Sequence, residues 1–294
     1  MKEVKDLLLK YAVESDKVLK ELFDRGNPGL SDTLLSSMKY TVFSGGKRLR
    51  PVLTRMAAEV VEGDIENAMI VGNAIEMIHS YSLIHDDLPS MDDDEYRRGK
   101  LTNHMVYGTG IAILAGDGLL TYAFNVLSNL SLAAEKIIKI IELISYSAGA
   151  HGMVGGQVLD LEAEDKEIGL EEMMKIHRAK TGALFRASIL AGAYCGDPTE
   201  EELEALEDYA EKLGLTFQIV DDILDVVGDE DKLGKKVGSD EKLNKSTYPK
   251  LIGLESARKE AEKNAEKAKE SIKIFGEKAD QLMGLMDFII NRQS

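Results

Sequence analysis

With 294 residues, 44% apolar and 30% charged, the chain is long enough for one large soluble domain or two small ones, with an ample core. Its 52 acids against 36 bases, a net charge of −16, exclude broad nucleic-acid binding, which needs a basic face, and require placed cations or metal ions wherever an anion is to bind. The single Cys195 excludes an intrachain disulfide and a cysteine zinc cluster, and it points to a reducing cytoplasm.

Met1 to Lys20 mixes Lys and Glu with apolar residues at helical spacing, which suits neither a signal peptide nor a transit peptide. No apolar run of about 18 residues stands out, so no membrane span is expected. Only 5 prolines occur, and between the breakers apolar residues recur at i, i+3 and i+4, which predicts an all-α chain without convincing strands. No repeat of about 20–50 residues and no low-complexity linker divides it, so one domain over 1–294 is expected.

Leu7 to Phe23 reads as an amphipathic helix stopped by Gly26-Asn27-Pro28. Ser31 or Asp32 can cap the next helix, which runs to about Phe43. Gly45-Gly46-Lys47-Arg48-Leu49-Arg50-Pro51 follows: two glycines that let backbone approach a ligand, then three cations, with Pro51 suited to a first helical turn. A loop of that kind at a helix start is either an anion site or a surface loop with ordinary cations.

Ile65 to Leu88 reads as a long buried helix carrying His79, Tyr81 and His85 among apolar neighbours. It runs straight into Asp86 and Asp87, and Pro89 breaks it. Six carboxylates lie within the ten residues 86–95, and Arg97 and Arg98 follow. Asp86, Asp87 and Asp92 cannot all stay ionised without a cation, because like charges so close raise each other's pKa. Mg²⁺ removes that conflict through carboxylate oxygens and shares itself with phosphates, while guanidinium groups grip phosphate in a bidentate fork. The stretch therefore predicts a metal–diphosphate site rather than a solvated acidic loop. Asp92 has to return on a loop to meet Asp86. His79, seven residues before Asp86, shares its helical face two turns away, as a core histidine or as a phosphate contact.

Asn103 to Leu127 is helical and rich in small residues suited to close packing, and Ser131 to Ser147 is the next helix. His151 to Leu161 holds Gly155-Gly156-Gln157-Val158-Leu159-Asp160. Met173 to Ala193 carries Lys180-Thr181-Gly182 in a buried-looking helix, where a lysine is costly unless a ligand or an acid meets it. Glu200 to Val227 contains Gln218, Asp221, Asp222 and Asp225; Asp221 and Asp225, at i and i+4, share a face within about 6 Å and need a cation there. This is a second candidate metal cluster. A lysine-rich loop with Gly234, Lys235 and Lys245 comes directly after it, and from Leu254 onward the pattern is amphipathic helix.

In this order the motifs resemble the trans-type short-chain isoprenyl diphosphate synthases, over about Thr33 to Arg292. They are Gly-Gly-Lys-Arg-x-Arg-Pro at 45–51, the aspartate-rich motif at 86–92, Arg97-Arg98-Gly99, Gly156-Gln157-x-x-Asp160-Leu161, Lys180-Thr181-Gly182, Phe217-Gln218-x-x-Asp221-Asp222-x-x-Asp225, Gly234-Lys235 and Lys245-x-Thr247. Each is weak or moderate alone; the ordered set is highly specific. One departure is Leu101, which stands where the family usually has Pro, before Thr102-Asn103-His104, and it predicts a less rigid loop. Four residues separate Asp87 from Asp92, which looks like the bacterial and plant-plastid type.

The resemblance implies a single-domain all-α bundle of about ten or more helices round a deep central cavity, usually a homodimer, that condenses isopentenyl diphosphate with the allylic dimethylallyl and geranyl diphosphates. It implies about three Mg²⁺ ions, with Mn²⁺ as a substitute, on Asp86, Asp87 and Asp92 and on Asp221, Asp222 and Asp225. Arg97, Lys180 and Lys235 would hold the allylic diphosphate, with Thr181, Gln218 and Lys245 near the reacting carbon. Gly46, Lys47, Arg50, His79 and Arg98 would hold isopentenyl diphosphate. Tyr81 and Ser82, roughly 6–8 Å below the first carboxylate, are the chain-length positions: Tyr81, if it points inward, floors the cavity, and otherwise it is core and the floor is set elsewhere, for example by a partner subunit; a bulky aromatic there goes with a C15 product, farnesyl diphosphate, and a small residue or Met with C20, the alternative. A terpene cyclase shares both metal clusters but lacks the second diphosphate site that the loop at 45–51 and His79 supply. A non-catalytic synthase subunit tends to lose one aspartate cluster, and both are intact here.

Overall fold

Two of the helices that frame the site begin at side-chain caps. Ser31 caps α2 (Asp32–Val42) by accepting the Leu34 N–H, and Asp64 caps α4 (Ile65–Asp86) by accepting the Asn67 N–H at 2.9 Å. Caps of this kind contribute about 1 kcal/mol each. The computed structural model describes residues 2–26, 31–164, 166–227 and 246–292. Before α4 come α1 (Lys2–Gly26), α2 and α3 (Leu49–Val60). After it come α5 (Asn103–Tyr107), α6 (Thr109–Ser128), α7 (Ala134–Ala148), α8 (Met153–Ala163), α9 (Leu170–His177), α10 (Ala183–Ala193) and α11 (Glu200–Val227). The last described elements are α12 (Tyr248–Ile252), α13 (Leu254–Ser271), a 3₁₀ segment (Lys273–Ala279) and α14 (Asp280–Ile290).

α4 is the axis. It is apolar on every face, so it has to be surrounded. α3 and α6 flank it, with α1, α2 and α10 also against it. Ile75, Met77, Ile78 and Ile84 are sealed from solvent, each worth about 1.5–3 kcal/mol. One core cluster joins α4 to α2, α6 and α7; a second joins α3, α10, α11 and α14; a third lies between α11, α12 and α13. α4 and α11 thus run through the middle of the fold, and they carry the two aspartate runs.

Three expectations change. The predicted Met173–Ala193 helix is interrupted by a π-helical turn, Arg178–Gly182, between α9 and α10. A two-residue antiparallel hairpin, Tyr96–Arg97 against Lys100–Leu101, turns at Arg98-Gly99 where no strand was expected. Two helical stretches, Thr109–Ser128 and Ala134–Ala163, are long and apolar enough by length and composition to cross a membrane. Asp117 interrupts the apolar run of the first, and Lys136, Lys139 and Glu142 that of the second, which is also two helices, α7 and α8, rather than one. α6 packs closely on α4. The loop without its proline is nevertheless pinned: Tyr40 Oη donates to the Leu101 carbonyl at 2.7 Å, and Thr102 Oγ1 to that of Asp94 at 2.7 Å.

Candidate active site

The first aspartate run is assembled by the end of α4. Asp87 is the C-cap, and after Pro89 the chain folds back so that the Asp92 N–H donates to the Asp86 carbonyl at 2.9 Å. Its carboxylates do different work. Asp87 is buried and held by Arg97, whose Nε reaches Oδ1 at 2.7 Å. Asp86 has no such clamp. Burial pushes its carboxyl up to about 6, and the neighbouring Asp92 and Asp87 add to the shift against the pull of Lys180 and Arg97. Asp92 is exposed beside it.

In α11 the same division recurs. Asp222 is buried with both oxygens engaged: Gln218 Nε2 donates to Oδ1 at 3.2 Å, and the Tyr248 N–H to Oδ2 at 3.0 Å. It fastens α11 to α12. Asp221 is partly exposed, and Arg292, beyond α14, donates Nη2 to its Oδ1 at 3.1 Å while lying over the Phe217 ring at 4.2 Å. Asp225 is buried one turn on.

Among the described residues, no three carboxylates or histidines converge into a preformed metal cage. The donor set nevertheless fits a hard cation. Asp86 is a desolvated carboxylate pressed by two like charges, and Asp221 already holds a cation in Arg292. Both runs offer only carboxylate oxygens, the ligands Mg²⁺ prefers.

Above the carboxylates lies a cationic loop. Gly45 and Gly46 have φ of +103° and +136°, which glycine alone adopts readily. A Cβ on Gly46 would lie 2.7 Å from Arg98 Nη1, so the absent side chain is what admits the guanidinium, which donates to the Gly45 carbonyl. Burial and mutual repulsion with Arg98 bring Arg50 down to about 10, against the opposing pull of Glu76. Burial and the arginines 50, 98, 97 and 48 hold His79 well below the usual imidazole range. His79 is therefore neutral and can offer a hydrogen bond but no charge. Burial also lowers Lys47, which feels Arg292 as a repelling and Asp221 as an attracting charge, so the loop faces the second aspartate run.

Lys180 sits in the π-helical turn, an irregularity often found at functional sites. The acid that makes it tolerable is Asp160 of α8, at 2.6 Å. α8 comes this near because Gly156 lacks a side chain: a Cβ there would lie 2.3 Å from the Lys180 backbone nitrogen. Gly156→Ala is expected to lower stability by on the order of 1–3 kcal/mol and to displace Lys180. Thermal melting checks this, and an unchanged melting temperature would contradict the close approach. Thr181 follows in the same half-buried turn. Tyr81 is 7% exposed and meets His85 edge-on, with ring centroids 5.7 Å apart. Ser82 turns its hydroxyl back to the His79 carbonyl at 2.9 Å. Lys235, Lys245 and Gly234 lie outside the described residues. A cavity of about 1260 Å³, lined by His151, Gly155, Leu159, Lys175, Arg178 and Glu211 among others, opens between α8, α9 and α11, and neither aspartate run lines it.

Sequence reasoning gave no role to Arg292, Glu76 or Tyr248. No spacing links Arg292 to Asp221 or Tyr248 to Asp222; only the fold does. A glutamate in the middle of an otherwise apolar helix was a visible signal for Glu76.

The sequence model for the family described as polyprenyl synthetase matches residues 31–283. The chain is 43% identical over 291 residues to a geranylgeranyl diphosphate synthase of Cyanophora paradoxa, covering 98% of this chain and 97% of that one. It is 46% identical over 266 residues to the farnesyl diphosphate synthase of Bacillus subtilis, covering 90% of each. Among solved structures it resembles a geranylgeranyl pyrophosphate synthetase from Pyrococcus horikoshii, with a TM-score of 0.89, 32% identity and 99% of both chains covered.

Proposed function

The chain belongs to the polyprenyl synthetase family, as a trans-type short-chain isoprenyl diphosphate synthase, and on that premise we propose that it joins isopentenyl diphosphate head-to-tail to dimethylallyl and geranyl diphosphates, making mainly farnesyl diphosphate. The observation that carries this reading is the pairing of two anion-seeking regions. Gly46, Lys47, Arg50, His79 and Arg98 would supply one; the aspartate runs, through bound metal ions, would supply the other together with Arg97 and Lys180. Two diphosphates call for both, whereas a terpene cyclase needs one.

Asp86, Asp92 and Asp221, with Asp87, Asp222 and Asp225 behind them, would hold about three Mg²⁺ ions, whose charge offsets that building on the leaving diphosphate. Arg97 and Lys180 add fixed cations to the same diphosphate, and Lys235 is proposed to join them. The allylic carbon–oxygen bond breaks to give an allylic cation. The double bond of isopentenyl diphosphate attacks that carbon, and the proton lost from the new chain passes to the released diphosphate. Thr181, Gln218 and Lys245 are assigned to the side where the cation forms. No protein nucleophile is required, and a site sealed from water protects the cation. The whole of 1–294 acts as one catalytic domain on this reading.

The C20 product is the second reading, favoured by relatives named geranylgeranyl diphosphate synthase. Chromatography of products made from labelled isopentenyl diphosphate with Mg²⁺ tests the proposal. No condensation product would sink it, and a cyclised hydrocarbon would favour the cyclase. The site assignment has its own test. Arg50→Ala is expected to raise the KM for isopentenyl diphosphate by about tenfold or more, with a much smaller change for geranyl diphosphate. Equal changes would mean that the two diphosphate sites are assigned the wrong way round.

A homodimer belongs to the same proposal. Met105, Val106, Ile113 and Leu114 around α6, with Ile138 and Tyr146 of α7, leave an apolar face outward, which a second copy would cover. Light scattering should give twice the 32.3 kDa of one chain. A cytoplasmic setting accords with the one buried, unpaired Cys195.

A further inference from the structure

Beneath the cationic loop α4 buries a single turn that carries both Glu76 and His79. Glu76 is 2% exposed. Its Oε1 accepts from Arg48 Nη1 at 3.3 Å, and its Oε2 is buried with no hydrogen-bond partner. Arg50 Nε, on the first turn of α3, is likewise buried and unpartnered. A buried carboxylate is costly unless cations surround it, and here they do. Burial lowers Arg50 and Arg98 alike, and in each Glu76 is the largest influence in the opposite direction.

Arg48 is the mechanical link. Its backbone is left-handed, φ 50° and ψ 38°, a conformation that a non-glycine residue keeps only where its surroundings enforce it. Its guanidinium is fixed on three sides, by Glu76, by Asp16 through Nε at 2.8 Å, and by the Val42 carbonyl through Nη2 at 2.7 Å. Lys47 precedes it and Arg50 follows two residues on in the first turn of α3, so the anchored Arg48 fixes the backbone from which both extend.

On the functional reading above, we propose that Glu76 is a positioning residue for the isopentenyl diphosphate pocket: its buried carboxylate holds the Arg48 guanidinium, locks the left-handed turn there, and so fixes the start of α3 from which Arg50 reaches the ligand. Glu76 touches no reacting atom. Its effect is confined to the homoallylic diphosphate and does not extend to the allylic one, which lies over the aspartates.

Glu76→Gln keeps the shape and removes the charge; Glu76→Asp keeps the charge. In the full chain with Mg²⁺, Glu76→Gln is expected to raise the KM for isopentenyl diphosphate about tenfold or more while that for geranyl diphosphate stays within about twofold, and Glu76→Asp is expected to recover most of the loss. A KM for isopentenyl diphosphate within about twofold of wild type, equal rises for both substrates, or an aspartate variant no better than the glutamine one each overturns the proposal. If Glu76→Gln does not fold, as judged by circular dichroism, the aspartate variant alone decides. It must then fold and bind isopentenyl diphosphate near the wild-type level. Calorimetry with isopentenyl diphosphate separates this inference from the functional reading. Binding that weakens about tenfold in Glu76→Gln, in a wild type that forms no product, sinks the functional reading and upholds Glu76. No binding by wild type overturns both.

Discussion

Asp86→Ala and Asp221→Ala are each expected to lower turnover by about a thousandfold or more while leaving the helical fold in place. The size of the effect follows from what these carboxylates face. Asp86 is a desolvated carboxylate pressed by Asp92 and Asp87, and Asp221 is a partly exposed carboxylate already met by the Arg292 cation, whereas Asp87 and Asp222 are buried in hydrogen bonds to Arg97, Gln218 and Tyr248. Survival of the fold follows from the pKa of Asp86. Its carboxyl sits at about 6 in the folded chain against an ordinary 3.8, so the ionised group works against the metal-free fold. That cost is absent below about pH 4, grows between there and pH 6, and is complete above it. At pH 7.5 without divalent metal, Asp86→Ala should therefore melt at or above the wild-type temperature. Asp222→Ala gives the contrast. It strips both the Tyr248 N–H and Gln218 of their acceptor, and should lower the melting temperature through a loss of about 1–3 kcal/mol. Steady-state kinetics and thermal melts on the three variants check the scheme. Wild-type turnover that persists in EDTA would falsify the metal assignment.

That contrast also shows where the sequence stops informing. The burial of α4 was legible because apolar residues cover all its faces, and the fold-back of Asp92 because Pro89 cannot continue a helix. The cationic loop was legible because two glycines precede three cations. Within each aspartate run, however, sequence does not tell adjacent carboxylates apart, Asp86 from Asp87 or Asp221 from Asp222. Asp87 is told from Asp86 by Arg97, ten residues on across the hairpin, and Asp222 from Asp221 by Tyr248 and Arg292, from α12 and beyond α14. Helical spacing says which residues share a face, not which neighbour they meet. The π-helical turn was hidden for the same reason. Lys180-Thr181-Gly182 carries weak helix formers but nothing that specifies a π turn, and it is met by Gly156 and Asp160 of α8, which the sequence does not place there.

Product length depends on the wall of α4 beneath Asp86. At 3.6 residues per turn, Ser82 lies on nearly the same face as Asp86, whereas Tyr81 lies well round the helix, on the face of His85. A chain growing down from Asp86 therefore passes Ser82, a small side chain whose hydroxyl is tied to the His79 carbonyl, and offers it little resistance. Tyr81 is the first bulky group in reach. It is buried against His85, and burial, with the Asp86 charge, raises its phenol. His85 in turn donates Nε2 to the Ile113 carbonyl at 3.0 Å, so α6 holds the pair in place. Wild type is expected to release mainly the C15 product, and Tyr81→Ala to extend it to C20 or beyond. Removing a buried aromatic costs about 3–5 kcal/mol, so Tyr81→Met, which keeps part of the volume and packs adaptably, serves where the alanine variant is unstable. Radio-chromatography of the chain lengths decides it. A wild type that makes mostly C20, or substitutions at Tyr81 that still stop at C15, would move the floor of the cavity to another residue.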